Sequence, residues 1–231
     1  EEYETLELKI ELSKFIHRRE YENAEKIIGE MEKILDCNIP QNKQYLETER
    51  IKVKYQKKTE NTGEIIQQLK ELLMMSLNIC DGKEPEYVLT PEEISILTEM
   101  AFVYWMDEKY QMALEIYRFI EKQYDNSRVK PVFHMLDWAM NTGNYAQALE
   151  ELGDKQEAVR ISEKEIEQTL YAGKGCSTPK PLIILACIKE QNGQEICKKY
   201  FKQDLDVLKL YKMDFDYEMV KKYVEERGIL N

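Results

Sequence analysis

Apolar residues recur every three or four positions along most of this chain, and no segment sustains a two-residue alternation. That period is helical and predicts an all-α protein. Leu6, Leu8, Ile10, Leu12, Phe15 and Ile16 mark a first helix over 2–18, and Ala24, Ile27, Ile28, Met31 and Leu35 a second over 21–36. Pro40 breaks the pattern, and helices over 41–58 and 63–79 follow. The stretch DGKEPEYVL (81–89) is the longest loop-like segment. Thr90, Pro91 and Glu93 then form an N-cap, a first-turn proline and a capping box, which start a fifth helix running to 106. A sixth covers 109–124 and stops at DNSR (125–128). Further on, the pattern predicts helices over 156–171, 181–191, 195–211 and 214–227, with Gly228 as the last stop.

Residues 140–159, MNTGNYAQALEELGDKQEAV, carry one turn signal twice, at Gly143 and at Gly153. A turn at Gly143 leaves a helix from about 145 to 171 with Gly153-Asp154 inside it. A turn at Gly153 leaves a helix over 130–152 with Gly143 inside it, followed by an ordinary helix over 156–171. A glycine within a helix costs about 1 kcal/mol relative to alanine, which a long packed helix absorbs. The reading therefore favours Gly153 as the turn.

The helices repeat in pairs. REYENAEKII (19–28) and EKYQMALEIY (108–117) share a Tyr, an Ala three residues on and then apolar residues, while GDKQEAVRIS (153–162) keeps the Ala. Ala24, Ala113 and Ala158 stand about 89 and 45 residues apart, so a weaker unit near Ile65 and Ile66 is expected to halve the longer interval. Another fits Gly193 to Cys197. One helix pair cannot bury its own apolar stripe, whereas stacked pairs bury a continuous core. The expected organisation is a single repeat domain over 1–231, with approximate pairs 1–36, 41–80, 90–125, 130–172 and 180–211 and a closing helix 214–227.

Composition narrows the function classes. Charged residues make up 33% and Gly and Pro number only 9 and 6, which suits helices and not a turn-rich β-sandwich. A net charge of −11 repels a phosphate backbone, so this chain alone is a poor nucleic-acid binder. No apolar run is long enough to span a membrane, and EEYETLELKI does not read as a signal peptide, so a cytoplasmic protein is expected. The 5 cysteines have no Cys-x-x-Cys spacing and read as reduced, small apolar residues. His17 and His134 are far apart, and no nucleophile–base or metal constellation is visible, so neither an enzyme nor a cofactor is expected. GKGCST (173–178) lacks the glycine and Gly-Lys-Ser/Thr of a phosphate loop and reads as a helix stop and connector. Trp105, Trp138 and the tyrosines read as packing between helices.

The turn segments YENAEKII, KYQMALEIY and LGDKQEAVRISEKEI resemble tetratricopeptide repeats with a long spacing. A turn at Gly143 would give Ala113 to Ala148 the ordinary spacing of such repeats. The order of YLETERIKVKYQKK, TPEEISILTEMAFVYWMDEKYQMALEIY and NYAQALEELGDKQEAVRISEKEI, closed by YAGKGC, ACIKEQNGQEICKKYFKQ and MVKKYVEERG, agrees better with Gly153. That order resembles the C-terminal sensor region of bacterial regulators with a xenobiotic-response-element-type helix-turn-helix head, a group related to the peptide-sensing quorum regulators of Gram-positive bacteria. The resemblance implies a right-handed α-α superhelix of about five tetratricopeptide-like pairs. It implies a short peptide or similar effector in a concave groove, and a homodimer using CKKYFKQDLDVLKLYK and YEMVKKYVEERG. DNA would be reached only through an N-terminal helix-turn-helix missing from this chain. The second reading is a scaffold that docks a partner protein without a small effector.

The resemblance also points to site residues. Peptide-binding relatives use Asn side chains on the inner helices, nine residues before the turn glycine. An amide both donates and accepts, so it can pair with an extended peptide backbone. That position holds Asn144 before Gly153, Glu99 before Glu108 and Ile184 before Gly193. Asp137, Asn141, Asn144 and Ala148 fall at helical spacing and are expected to form one polar stripe, with Glu99 on the neighbouring helix. Glu49 and Lys52 either extend that stripe or belong to a solvated helix face. Gly143 either lets a ligand backbone approach or packs two helices closely.

Overall fold

The computed structural model describes residues 2–76, 89–126, 135–171, 175 and 178–230. All regular structure among them is helical: α1 (Glu2–His17), α2 (Tyr21–Ile34), α3 (Pro40–Gln56), α4 (Thr62–Leu73), α5 (Pro91–Met106), α6 (Tyr110–Asn126), α7 (Met135–Glu151), α8 (Lys155–Tyr171), α9 (Pro179–Gln191), α10 (Cys197–Leu210) and α11 (Asp214–Glu226). Pro40 does not precede its helix. It occupies the first position of α3, where the missing N–H has no intrahelical partner to lose. The Thr90 capping box is present, and Asn61 with Glu64 makes another at the start of α4. Parts of the stretches 81–89, 125–128 and 173–178, and His134, lie outside the described residues.

The repeat is written in the backbone of the turns. Arg19, Lys58, Glu108, Gly153 and Gly193 separate the two helices of five successive pairs, and each has a left-handed φ, between 55° and 83°. Each turn makes the same two bonds, as Gly153 N–H to Glu150 C=O and Asp154 N–H to Leu149 C=O illustrate. This 6→1 and 5→2 pattern satisfies the last carbonyls of the first helix. The pair expected near Ile65 and Ile66 is therefore real, but its turn residue is a lysine. Helix α7 runs through Gly143 and stops before Gly153. At φ +83°, a side chain on Gly153 meets its own backbone. Gly153→Ala is expected to cost about 1 kcal/mol, read as a lower urea midpoint at unchanged slope.

Contacts divide the chain into two compact units, residues 1–112 with 119–127, and residues 113–118 with 128–231. In the first, α1 to α5 pack in succession and α3 also lies against α5. Its core includes Leu12, Ala24, Ile27, Ile28, Met31, Leu46 and Val53. In the second, α7 to α11 pack in succession and α7 also lies against α9. Ala186, Cys197, Phe201, Val224 and Ile229 form a core there. The first helices α3 and α5 thus lie side by side in one unit, and α7 and α9 in the other. Ala24, Ala113 and Ala158 are completely buried, as small residues at close helix contacts must be. Cys197 behaves as the apolar residue expected, whereas Cys37 is exposed.

Candidate functional site

Glu49, Glu99 and Asn144 each lie nine residues before the left-handed residue of their pair, Lys58, Glu108 and Gly153. They occupy one equivalent position on α3, α5 and α7, and Ile184 occupies it on α9. All four are buried. Ile184 shows that an apolar side chain fits the position. Polar groups there therefore stand at a desolvation cost that packing alone does not demand.

In the first unit, Glu49 and Lys52 are not on a solvated face. Their side chains are only 11% and 17% exposed, and the ammonium sits 2.6 Å from Glu49 Oε1. Lys52 Nζ also lies 3.2 Å from Ser95 Oγ on α5. Glu99 stands one turn beyond Ser95, and its Oε1 is buried with no hydrogen-bond partner. Burial pushes the Glu99 carboxyl up to about 7; Lys52 opposes the rise and Glu49 adds to it. Beside it, Tyr55 meets Phe102 edge-on at 6.0 Å, and Phe102 stacks on Trp105 at 6.0 Å. The Tyr55 phenol is raised by burial, then by Glu99 and Asp107.

In the second unit, Asn144 Oδ1 accepts a hydrogen bond from Lys180 Nζ, which reaches from the first turn of α9. Gly143 makes room for that reach. A Cβ on it would meet Lys180 Cδ at 3.0 Å and Cγ at 3.2 Å, with Glu165 Oε2 at 3.5 Å. The close approach expected at Gly143 is thus made by a lysine stem. Burial pulls the Lys180 ammonium down to about 8, against the charge of Glu165. Burial raises the Glu165 carboxyl well above the usual range, opposed by Thr142 and Lys180. Tyr145 and Ala148 on α7 are buried as well, and Tyr145 packs on Tyr117 at 5.7 Å. Asn144 and Ala148 are therefore buried against neighbouring helices of this unit. The side chains of Asp137 and Asn141, also on α7, lie outside the described ones.

Sequence reasoning missed Lys180 and Glu165. Among the described residues no cluster of metal-ligating side chains is present, and no helix is long and apolar enough to cross a membrane.

No protein-family model matches the sequence, and no curated protein matches it. Among solved structures the chain is similar to Bacillus thuringiensis PlcR in complex with the peptide PapR7 and DNA. That match has 15% identity and a TM-score of 0.79, over 94% of this chain and 74% of that one. PlcR in its apo form matches at 14% identity and a TM-score of 0.74, over 95% and 78% of the two chains. The tetratricopeptide-like repeats of a Podosopora anserina kinesin light chain match at 14% identity and a TM-score of 0.53, over 89% and 95%. The fold is accordingly an α-α superhelix of tetratricopeptide-like pairs.

Proposed function

We propose that this chain is the effector-sensing and dimerisation part of a transcriptional regulator, and that its effector is a short peptide or similar ligand held in a groove. The observation that carries the reading is the likeness to PlcR, solved with a peptide and DNA, over 94% of the chain. The polar occupants of the equivalent position support it. Glu49, Glu99 and Asn144 are retained where Ile184 shows an apolar residue is acceptable, and such a conflict with packing is characteristic of functional positions. Asn144 pairs with backbone groups of the peptide, and Lys180 holds the amide until it does. Asp137 and Asn141 extend the same helix face toward the start of α7.

In this reading DNA is contacted through a helix-turn-helix encoded outside these residues, and two copies associate through α10 and α11. Leu210, Tyr211, Phe215 and Met219 are exposed there. The protein works in the cytoplasm, without a cofactor and without enzymatic chemistry. Calorimetry with short peptides encoded beside the gene tests the proposal. One of them should bind saturably, and Asn144→Ala should weaken it about tenfold or more, the loss of a buried hydrogen-bonding group. Parent-like affinity in Asn144→Ala removes that residue from the site. Failure of every such peptide, with no helix-turn-helix in the full reading frame, leaves a protein-docking scaffold.

A further inference from the structure

We propose that the α3–α5 face of the first unit binds a cationic group of the ligand, a primary ammonium or guanidinium, with the Glu99 carboxylate as its counter-charge. The inference rests on the sensor reading and names the chemistry that reading leaves open. Three observations carry it.

The first is a charge imbalance. Glu49 and Glu99 are both buried, and among the described residues they share a single ammonium, Lys52. Lys52 is engaged at 2.6 Å by Glu49 and at 3.2 Å by Ser95. The second is the uncommitted oxygen. Glu99 is 7% exposed, and its Oε1 has no hydrogen-bond donor. A buried carboxylate oxygen without a donor is costly unless something supplies one. The third is the wall beside it. Tyr55, Phe102 and Trp105 form a ladder of rings from α3 across to α5. Aromatic faces attract ammonium and guanidinium groups, and they exclude the water that would weaken the ion pair. An anionic group entering here would be repelled, and a neutral donor would satisfy the oxygen but leave its charge uncompensated. A cation with its own N–H donors satisfies both that oxygen and its charge.

The test uses three cationic probes and one neutral one, followed at the Glu99 side-chain carboxyl carbon by NMR in the full chain. N-acetyl-lysine methylamide presents a side-chain ammonium, norleucine amide an α-ammonium, and 1,5-diaminopentane a free diamine. N-acetyl-norleucine methylamide is the uncharged match. At least one cation should shift the resonance saturably, the neutral probe should not, and Glu99→Gln should weaken the same cation at least about tenfold. A response to the lysine derivative assigns the site to a peptide side chain, and a response to norleucine amide assigns it to a peptide N-terminus. A response to the diamine alone keeps the cation site but removes the peptide reading. Equal responses to charged and neutral probes, or none, overturn the inference. A peptide that binds parent and Glu99→Gln equally overturns it too and leaves the sensor reading intact. The charged-against-neutral comparison in the parent needs no variant to fold.

Discussion

Asp204→Asn is expected to stabilise the protein at pH 8 by about 3 kcal/mol or more, and to do almost nothing at pH 4. Asp204 on α10 is fully buried, and neither carboxylate oxygen has a hydrogen-bond partner. Burial, and then the charge of Asp216 on α11, push its pKa up to about 8 from an ordinary 3.8. Between those values the folded chain holds a proton that the unfolded chain releases. Rising pH therefore draws the equilibrium toward the unfolded state across this window, and stability is lost as pH climbs from about 4 to about 8. Glu99 acts with the same sign up to about 7. Lys180 acts oppositely above about 8, where it is neutral in the folded chain and still charged in the unfolded one. The parent should thus melt higher at pH 5 than at pH 8. The asparagine amide still lacks partners, so the gain comes from the ionisation part alone. Urea unfolding of parent and variant at both pH values checks this. A variant no more stable than the parent at pH 8 would mean that Asp204 has found a partner or water.

Phe201→Ala is expected to cost about 3–5 kcal/mol and to loosen the C-terminal helix before the rest of the chain unfolds. Phe201 stands one turn before Asp204 on α10, is fully buried and packs on Tyr223 of α11 at 5.8 Å. Val224 is the single buried residue within α11, so that helix depends on few apolar contacts. Phe201, Val224 and Ile229 close around them. The bond from Tyr223 Oη to Glu190 at 2.9 Å and the ion pair from Arg227 to Glu190 at 3.0 Å are half-exposed and add little. Hydrogen exchange should show the amides of α11 losing protection in Phe201→Ala, while those of α3 and α5 keep theirs. Uniform loss over the whole chain would show instead that α11 folds as one unit with everything else. Phe201 and Asp204 thus act oppositely on one seam, the first holding α11 down and the second making its docking sensitive to pH.

The helices were legible because a stripe with a 3.6-residue period must be buried, and the chain states that stripe plainly from Leu12 to Leu208. The Gly153 turn was legible because glycine is the residue that takes a left-handed φ without strain. Arg19, Lys58 and Glu108 adopt the same conformation with side chains that give no such signal, so the pair around Lys58 showed only as a gap in the spacing. Of the site, the equivalence of Glu99 and Asn144 followed from counting back from the turns. Glu49 joined them only when Lys58 proved to be a turn residue. Lys180 was hidden because it lies between two prolines at a helix start, where a lysine ordinarily points to water. Its partner helix is 36 residues away in sequence, and only the packing of α7 on α9 brings Gly143 under its stem. Asp204 could have been suspected, since it shares a helical face with Phe201 and Leu208.

In the proposed function Asn144 on α7 pairs with the backbone of an extended peptide. The most direct measurement is the side-chain amide resonance pair of Asn144 in 15N-labelled protein, followed while a peptide encoded beside the gene is added. Both proton signals should move saturably, with the binding curve found by calorimetry, as the amide exchanges Lys180 for peptide backbone groups. A peptide that binds and shifts other residues while the Asn144 amide stays in place would contradict that pairing.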